Sequence, residues 1–436
     1  MNLQRFRYGK ALDYGWSPLL DFDYGKPVGG GEEVEAGVFR RTWSKGGVVE
    51  LDCNTFTSTF QHTSPGDPPR GTAVQPHANA PAYAPAYAPA YPSATVFSPN
   101  LANITCFRIP SVVQTPDGML VAFAEARRGS CGDGDSHEIA SRRSKDGGIT
   151  WDALTIAAGN ETYWVGNPEV VVRGDGSLLM LVALHKAGCV GNCVVGNAVF
   201  TSSDGVKWSD ARDITAAMGP AAKARTGPGT ALLLKGKGLN GNPRIVAPVS
   251  TGTYTADFVL LSDDAGMTWR LAANASDTST PATWLGRDEA QATALPNGST
   301  MLLMRHPSEP WEGKAAAISD DNGATWGDAR LPWLRNSSSG GLPSPNCQSS
   351  ITSFGGVVYY SGSNSSSHQR ARLVVRRSHD SAASWDGGIL IDAGTSAYSC
   401  LVDGPLAKAT NCSAAGCGGV LYEGGAGLLT FVRFPL

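Results

Sequence analysis

Ser144-Lys145-Asp146-Gly147-Gly148-Ile149-Thr150-Trp151 decides the fold of this chain, because the octet keeps returning. It recurs as Ser262-Asp263-Asp264-Ala265-Gly266-Met267-Thr268-Trp269 and as Ser319-Asp320-Asp321-Asn322-Gly323-Ala324-Thr325-Trp326. Two weaker copies fill the gaps. Ser202-Ser203-Asp204-Gly205-Val206-Lys207-Trp208 is one residue short, and Ser378-His379-Asp380-Ser381-Ala382-Ala383-Ser384-Trp385 has alanine where glycine is expected. The closing tryptophans stand at 151, 208, 269, 326 and 385, so successive copies lie 57, 61, 57 and 59 residues apart. The octet has the chemistry of a tight hairpin turn: its aspartate accepts hydrogen bonds from the turn backbone, its glycine permits positive φ, and its tryptophan packs back under the turn. These aspartates are turn residues; they mark the fold and do no chemistry.

Between the copies the sequence reads as short apolar strands, such as Val170-Val171-Val172 and Leu178-Leu179-Met180-Leu181-Val182. Asp117-Gly118, Asp175-Gly176 and Asn297-Gly298 supply the turns between them. Cys106 to Leu436 divides into six units of about 55 residues. Five octets and a final strand set, Gly419 to Phe434, therefore predict an all-β, six-bladed β-propeller whose blades close on themselves and leave no open sheet edge.

Composition agrees with many strands and turns: 53 Gly, 27 Pro, 42 % hydrophobic and 17 % charged residues in 436. A net charge of −3 gives no reason to expect nucleic acid as a partner. No apolar run approaches 18 residues, so no transmembrane segment is expected. Upstream of the propeller, expected to span 98–436, Ala-Pro-Ala-Tyr repeats over Ala80–Tyr91 make 63–97 a Pro-rich linker. Residues 1–62 read as a short β-rich segment of unassigned role, with strands around Gly37–Trp43 and Val48–Cys53.

Nine cysteines leave at least one thiol unpaired; Cys189/Cys193 and Cys412/Cys417 are close enough for short-loop disulfides. Asn103, Asn160, Asn274, Asn297, Asn336, Asn364 and Asn411 each open an N-x-[ST] triplet. Together these favour a secretory, extracellular or lysosome-like location, although Met1 to Arg7 does not read as a signal peptide.

Cys106-Phe107-Arg108-Ile109-Pro110, ahead of the first octet in an array of five, resembles the Phe/Tyr-Arg-Ile-Pro motif of sialidases, whose octets are called Asp-boxes. The resemblance runs from Phe107 to Leu436 and implies an exo-α-sialidase acting on terminal sialic acid of sialylated glycans, with no metal or organic cofactor. It implies three arginines clamping the sugar carboxylate: Arg108, Arg305 in Leu303-Met304-Arg305-His306, and Arg370, with Arg372 a near neighbour. Guanidinium forks suit that task because they bind carboxylate bidentately and stay charged. It also implies Tyr398, in Ala397-Tyr398-Ser399, as nucleophile and Glu289, in Glu289-Ala290-Gln291, as its base. A neutral phenol approaches an anomeric carbon that carries a carboxylate without the repulsion a carboxylate nucleophile would meet.

The acid/base is expected after Ala124-Glu125-Ala126-Arg127, at Asp133 with Asp135 as the alternative, in a closed pocket that raises its pKa; Arg127 itself lines the pocket. Glu423, in Leu421-Tyr422-Glu423, is the expected partner orienting the first arginine. Other outcomes stay open: transfer of the sugar to a second glycan, with Tyr163, Trp164, Trp284 and Trp311 as candidate acceptor aromatics; preference for the deaminated sugar KDN; or a propeller that binds glycans without catalysis.

Overall fold

A strand with one wet face alternates apolar and polar residues, but most strands here are apolar on both faces, so each must be covered on both sides. The computed structural model shows how. It describes residues 91–436 except 135–136, 160–162, 188–192, 253–254, 307–312, 331–341, 343, 366–368 and 410–411, together with the backbone of four strands before residue 63. Six sheets of mostly antiparallel strands follow in chain order. Blade 1 runs Cys106–Gln114, Leu120–Arg127, His137–Ser144, Thr155–Ala158, and blade 2 runs Tyr163–Val172, Leu178–Lys186, Val194–Ser202, Arg212–Asp213. Blade 3 is built on Arg244–Thr251 and Ala256–Ser262, with an inner strand broken into Arg225–Thr226, Gly229–Thr230 and Leu232–Leu234. Blade 4 holds Asp288–Ala294, Thr300–Arg305 and Ala315–Ser319; blade 5 holds Ser350–Phe354, Val357–Ser363, Ala371–Ser378 and Ile389–Thr395.

Blade 6 explains how the ring shuts. Ser399–Leu401, Cys417–Glu423 and Leu429–Pro435 come from the end of the chain, and the fourth strand, Ser93–Phe97, comes from before blade 1. Residues 93–97, expected in the linker, are thus the strand that closes the propeller. Its partner lies more than 300 residues away, which no local pattern reveals.

Each neighbouring pair of blades encloses one apolar cluster. Val112 and Ala122 face Leu421 and Phe431 of blade 6, whereas the adjacent Val113 and Val121 face Val170 and Met180 of blade 2. The strand period of two therefore feeds two cores at once. The same division continues around the ring, ending with Leu373 and Val375 against Val420 and Phe434. Phe431 is fully buried, and its truncation to alanine would cost about 3–5 kcal/mol.

The octets form the predicted turns. Asp146 Oδ1 accepts the N–H groups of Ile149 and Thr150, each at 3.0 Å, and Ser144 Oγ accepts Gly148 N–H at 2.8 Å. Trp326 Nε1 donates back to Gly323 O at 2.9 Å. In the fifth copy Ala382 takes φ 66°, the left-handed conformation that glycine adopts freely elsewhere in the array. The rest of the hydrogen-bond pattern, including Ser384 N–H to Asp380 at 2.8 Å, survives that strain.

Before the propeller, Pro27–Glu35, Val38–Trp43, Gly47–Asp52 and Thr57–His62 form a four-stranded antiparallel meander in a separate unit. Among the described residues no helix is long and apolar enough to cross a membrane.

Candidate active site

In an antiparallel hairpin the start of the first strand lies beside the end of the second, so a propeller gathers those two positions from every blade at one mouth. Arg108 pairs with Glu125, Cys106 with Arg127, Asp288 with Arg305 and Ser399 with Tyr422 across their hairpins. The candidate residues occupy this rim, from blades 1, 4, 5 and 6.

The rim is also where the inner strands bulge. Ile109, Asn167 and Glu289 sit at register shifts with φ of 59°, 54° and 41°. Such conformations cost about 1–3 kcal/mol each and redirect the neighbouring side chains. Each bulged N–H is caught by a carboxylate. Ile109 donates to Glu423 at 2.8 Å, Asn167 to Glu125 at 2.8 Å and Glu289 to Asp288 at 3.1 Å. Glu423 and Glu125 then each hold an arginine, so one device recurs on adjacent blades.

Tyr398 and Glu289 meet directly: the phenol O–H donates to Glu289 Oε1. Arg305 Nη1 donates to Glu289 Oε2 at 2.5 Å and to the Tyr398 oxygen at 3.0 Å, and its Nε donates to Asn346 Oδ1 at 2.6 Å. Tyr398 packs below on Ile109 and Cys347. Burial, then the Glu289 charge, pushes its pKa well above the usual phenol value, so the hydroxyl stays protonated until a base removes its proton.

Two more guanidiniums stand over the tyrosine ring, Arg108 at 5.3 Å and Arg370 at 5.6 Å from its centroid. Arg108 is bidentate to Glu423, at 3.1 and 3.2 Å, as expected for that pair. Burial alone would lower the Arg108 pKa; the Glu423 charge outweighs it and raises the pKa. Arg370 donates to Asn346 O at 3.0 Å. Arg372 instead occupies a bulge where its carbonyl accepts Asn364 N–H, so of the two neighbours Arg370 is the one at the site.

Asp133 lies across the mouth. Its Oδ1 accepts from Arg127 Nη1 at 2.8 Å and Arg108 Nη1 at 3.2 Å, yet its side chain is 83 % exposed. The closed pocket expected around the acid is therefore open on this side: the loop carries polar and glycine residues with nothing to pack. Asp135, the alternative acid, lies outside the described residues. Arg127 is fully buried and pinned by Glu125 at 2.6 and 3.0 Å. Burial alone would raise the Glu125 pKa, but Arg127, His137 and the Asn167 N–H together hold it at about 2.

Several features escaped the sequence reading. Asn346 bridges Arg305 and Arg370, and the fully buried Lys314 donates to Cys347 O beneath them; burial lowers the lysine pKa to about 7. A lysine in a polar run reads as surface, so only packing reveals it. Cys106–Cys131 is a disulfide across 25 residues, alongside the expected Cys412–Cys417. Cys193 is also disulfide-bonded, while Cys189, its expected partner, lies outside the described residues. Trp284 is no acceptor platform: it is buried, with its ring edge-on to Trp326 and its N–H on Gly327 O. Trp164 is half-buried beside His137, and Trp311 lies outside the described residues.

Residues 118–406 match the BNR repeat-like domain family. A sialidase of Micromonospora viridifaciens is 26 % identical over 354 residues, covering 74 % of this chain and 50 % of that protein. A sialidase of Bacteroides fragilis (strain YCH46) is 26 % identical over 376 residues, 77 % of this chain and 63 % of that one. The chain thus spans less than two thirds of the length of these relatives. The solved Hadza microbial sialidase Hz136 shares the fold at a TM-score of 0.66 and 21 % identity, over 92 % of this chain and 73 % of that one. The octet array, the family match over most of the propeller and the sialidase relatives together place this chain in the BNR-repeat sialidase family.

Proposed function

We propose that the protein is a retaining exo-α-sialidase that releases terminal sialic acid from sialylated glycans through a tyrosyl intermediate. The observation carrying this reading is the hydrogen bond from Tyr398 to Glu289, with Arg305 bonded to both. Arg108, Arg305 and Arg370 supply the fixed positive charge for the sugar carboxylate, and three guanidiniums offset its desolvation. Glu289 takes the phenol proton as the oxygen attacks the anomeric carbon, so no negative charge approaches that carboxylate beforehand. Carboxylate binding competes with Asp133 for Arg108 and frees Asp133 to turn toward the glycosidic oxygen. There it gives its proton to the departing aglycone, then takes one from the water that cleaves the intermediate.

Two inversions at one carbon give net retention. Proton NMR of a reaction on an α-linked N-acetylneuraminic acid sialoside should show the α-anomer of the free sugar first. Release of the β-anomer first, or no release, would contradict the reading. A parallel KDN sialoside and an added galactoside acceptor read out the two alternatives of sugar form and transfer. Cys106–Cys131 and Cys412–Cys417 support work in an oxidising compartment, consistent with a secretory route.

A further inference from the structure

Every other member of the site stands on a strand or packs on one; the acid does not. Each residue from Arg128 to Asp133 is exposed, so no burial holds this loop in one shape. The strand ends it joins, Arg127 and His137, are directly paired. Nine residues between adjacent anchors leave Asp133 free to swing well away from the mouth, since an extended chain covers roughly 3.3–3.6 Å per residue.

One covalent tie opposes that freedom. Cys131, two residues before Asp133, is bonded to Cys106, two residues before Arg108. The Cys131 carbonyl accepts Arg127 Nη1 at 2.6 Å, and the same nitrogen reaches Asp133 Oδ1 at 2.8 Å. Thr105 Oγ1, next to Cys106, adds a bond to Arg128 O at 2.5 Å. With the sulfur anchored, two residues of chain keep the Asp133 carboxyl within about 7 Å of the anchor, inside reach of both guanidiniums. We propose that the Cys106–Cys131 disulfide is a positioning device for Asp133, setting how well the enzyme protonates its leaving group.

The inference rests on the sialidase reading and predicts a specific signature. An aryl sialoside releases a phenolate-type leaving group that departs with little protonation, whereas a sialyl-galactoside must have its departing alkoxide protonated. Loss of the tie therefore separates the two substrates, which a general loss of folding does not. In Cys106→Ala/Cys131→Ala, kcat on 3′-sialyllactose should fall about tenfold or more, part of the 10²–10⁴ that a positioned acid contributes, with KM little changed. The aryl sialoside rate should change by less than about threefold, and Asp133→Asn should show the same selectivity more strongly.

Dithiothreitol gives the wild type the same test without a substitution: it delivers two hydrogens to the S–S bond, yields two thiols, and is itself oxidised to the cyclic disulfide. Cys131 is exposed and open to it. The wild type should lose the sialyllactose rate selectively on reduction, and the double variant should not respond. Equal losses on both substrates, no loss on either, or a double variant that still responds would overturn the proposal. If the double variant does not fold, the ratio of the two rates before and after reduction of the wild type decides alone. A wild type inert on both substrates fails differently, by removing the sialidase reading itself.

Discussion

The two sides of the mouth are built in opposite ways. On one side Tyr398, Glu289 and Arg305 are all buried, sit on or beside blade strands, and are bonded to one another. On the other, Asp133 is on an exposed loop and is held by two borrowed guanidiniums and a nearby disulfide. The rigid side is where a carbon–oxygen bond must form, and misplacement there carries a steep rate penalty. The loose side must let an aglycone in and out, then serve first as acid and later as base. Preorganisation is thus concentrated where the reacting atom is fixed, and a tether replaces packing where substrates pass.

Three substitutions would break or sharpen that contrast. Tyr398→Phe removes one oxygen from the rigid side and leaves the ring on Ile109 and Cys347; kcat on any sialoside should fall by about 10³ or more with an unchanged circular dichroism spectrum. Retained activity would mean that the rigid side is not the nucleophile. Next comes the clamp. Arg370→Ala should lower kcat/KM by about 10²-fold or more, the loss of charge-assisted hydrogen bonds, whereas Arg372→Ala should stay within about threefold. The reverse order would show that the stacking over Tyr398 has been misread.

The smallest effect on rate, and the clearest on stability, belongs to Glu125, which joins the two sides by holding Arg127 and the Asn167 N–H. Glu125→Gln should destabilise the propeller by about 3 kcal/mol at neutral pH, because it leaves a buried guanidinium short of its partner. The Glu125 carboxyl sits at about 2 in the fold against an ordinary 4.5, so its stabilisation is complete above about pH 4.5 and is lost as pH falls through about 2. Denaturation curves of wild type and variant should converge over that interval. Curves offset equally at pH 7 and pH 2 would show that the ion pair is not the source.

What could be read in the sequence was what is local. An octet contains its own turn chemistry, so the repeat, the blade count and the all-β class followed from residues within eight positions of one another. Arg108, Tyr398 and Glu289 were legible because short motifs carry them, and the structure brings them together. Other features depend on partners far along the chain. Ser93–Phe97 reads as the end of a Pro-rich linker because its partner strand is Leu429–Pro435. Cys106 and Cys131 are 25 residues apart, too far to pair by inspection, while Cys412 and Cys417 were not. Trp284 looked available for a sugar because its neighbour Trp326 covers it only in three dimensions.

The central claim is that Tyr398 forms the bond to the sugar. A 2,3-difluorosialic acid tests it directly: fluorine at C3 destabilises the positive charge of both transition states, and fluoride at C2 leaves readily enough for the first step alone to proceed. Incubation followed by peptide mass spectrometry should locate one sialyl adduct, on the peptide containing Tyr398, with activity lost in proportion to labelling. An adduct on Glu289, or inactivation with Tyr398 unmodified, would contradict the account.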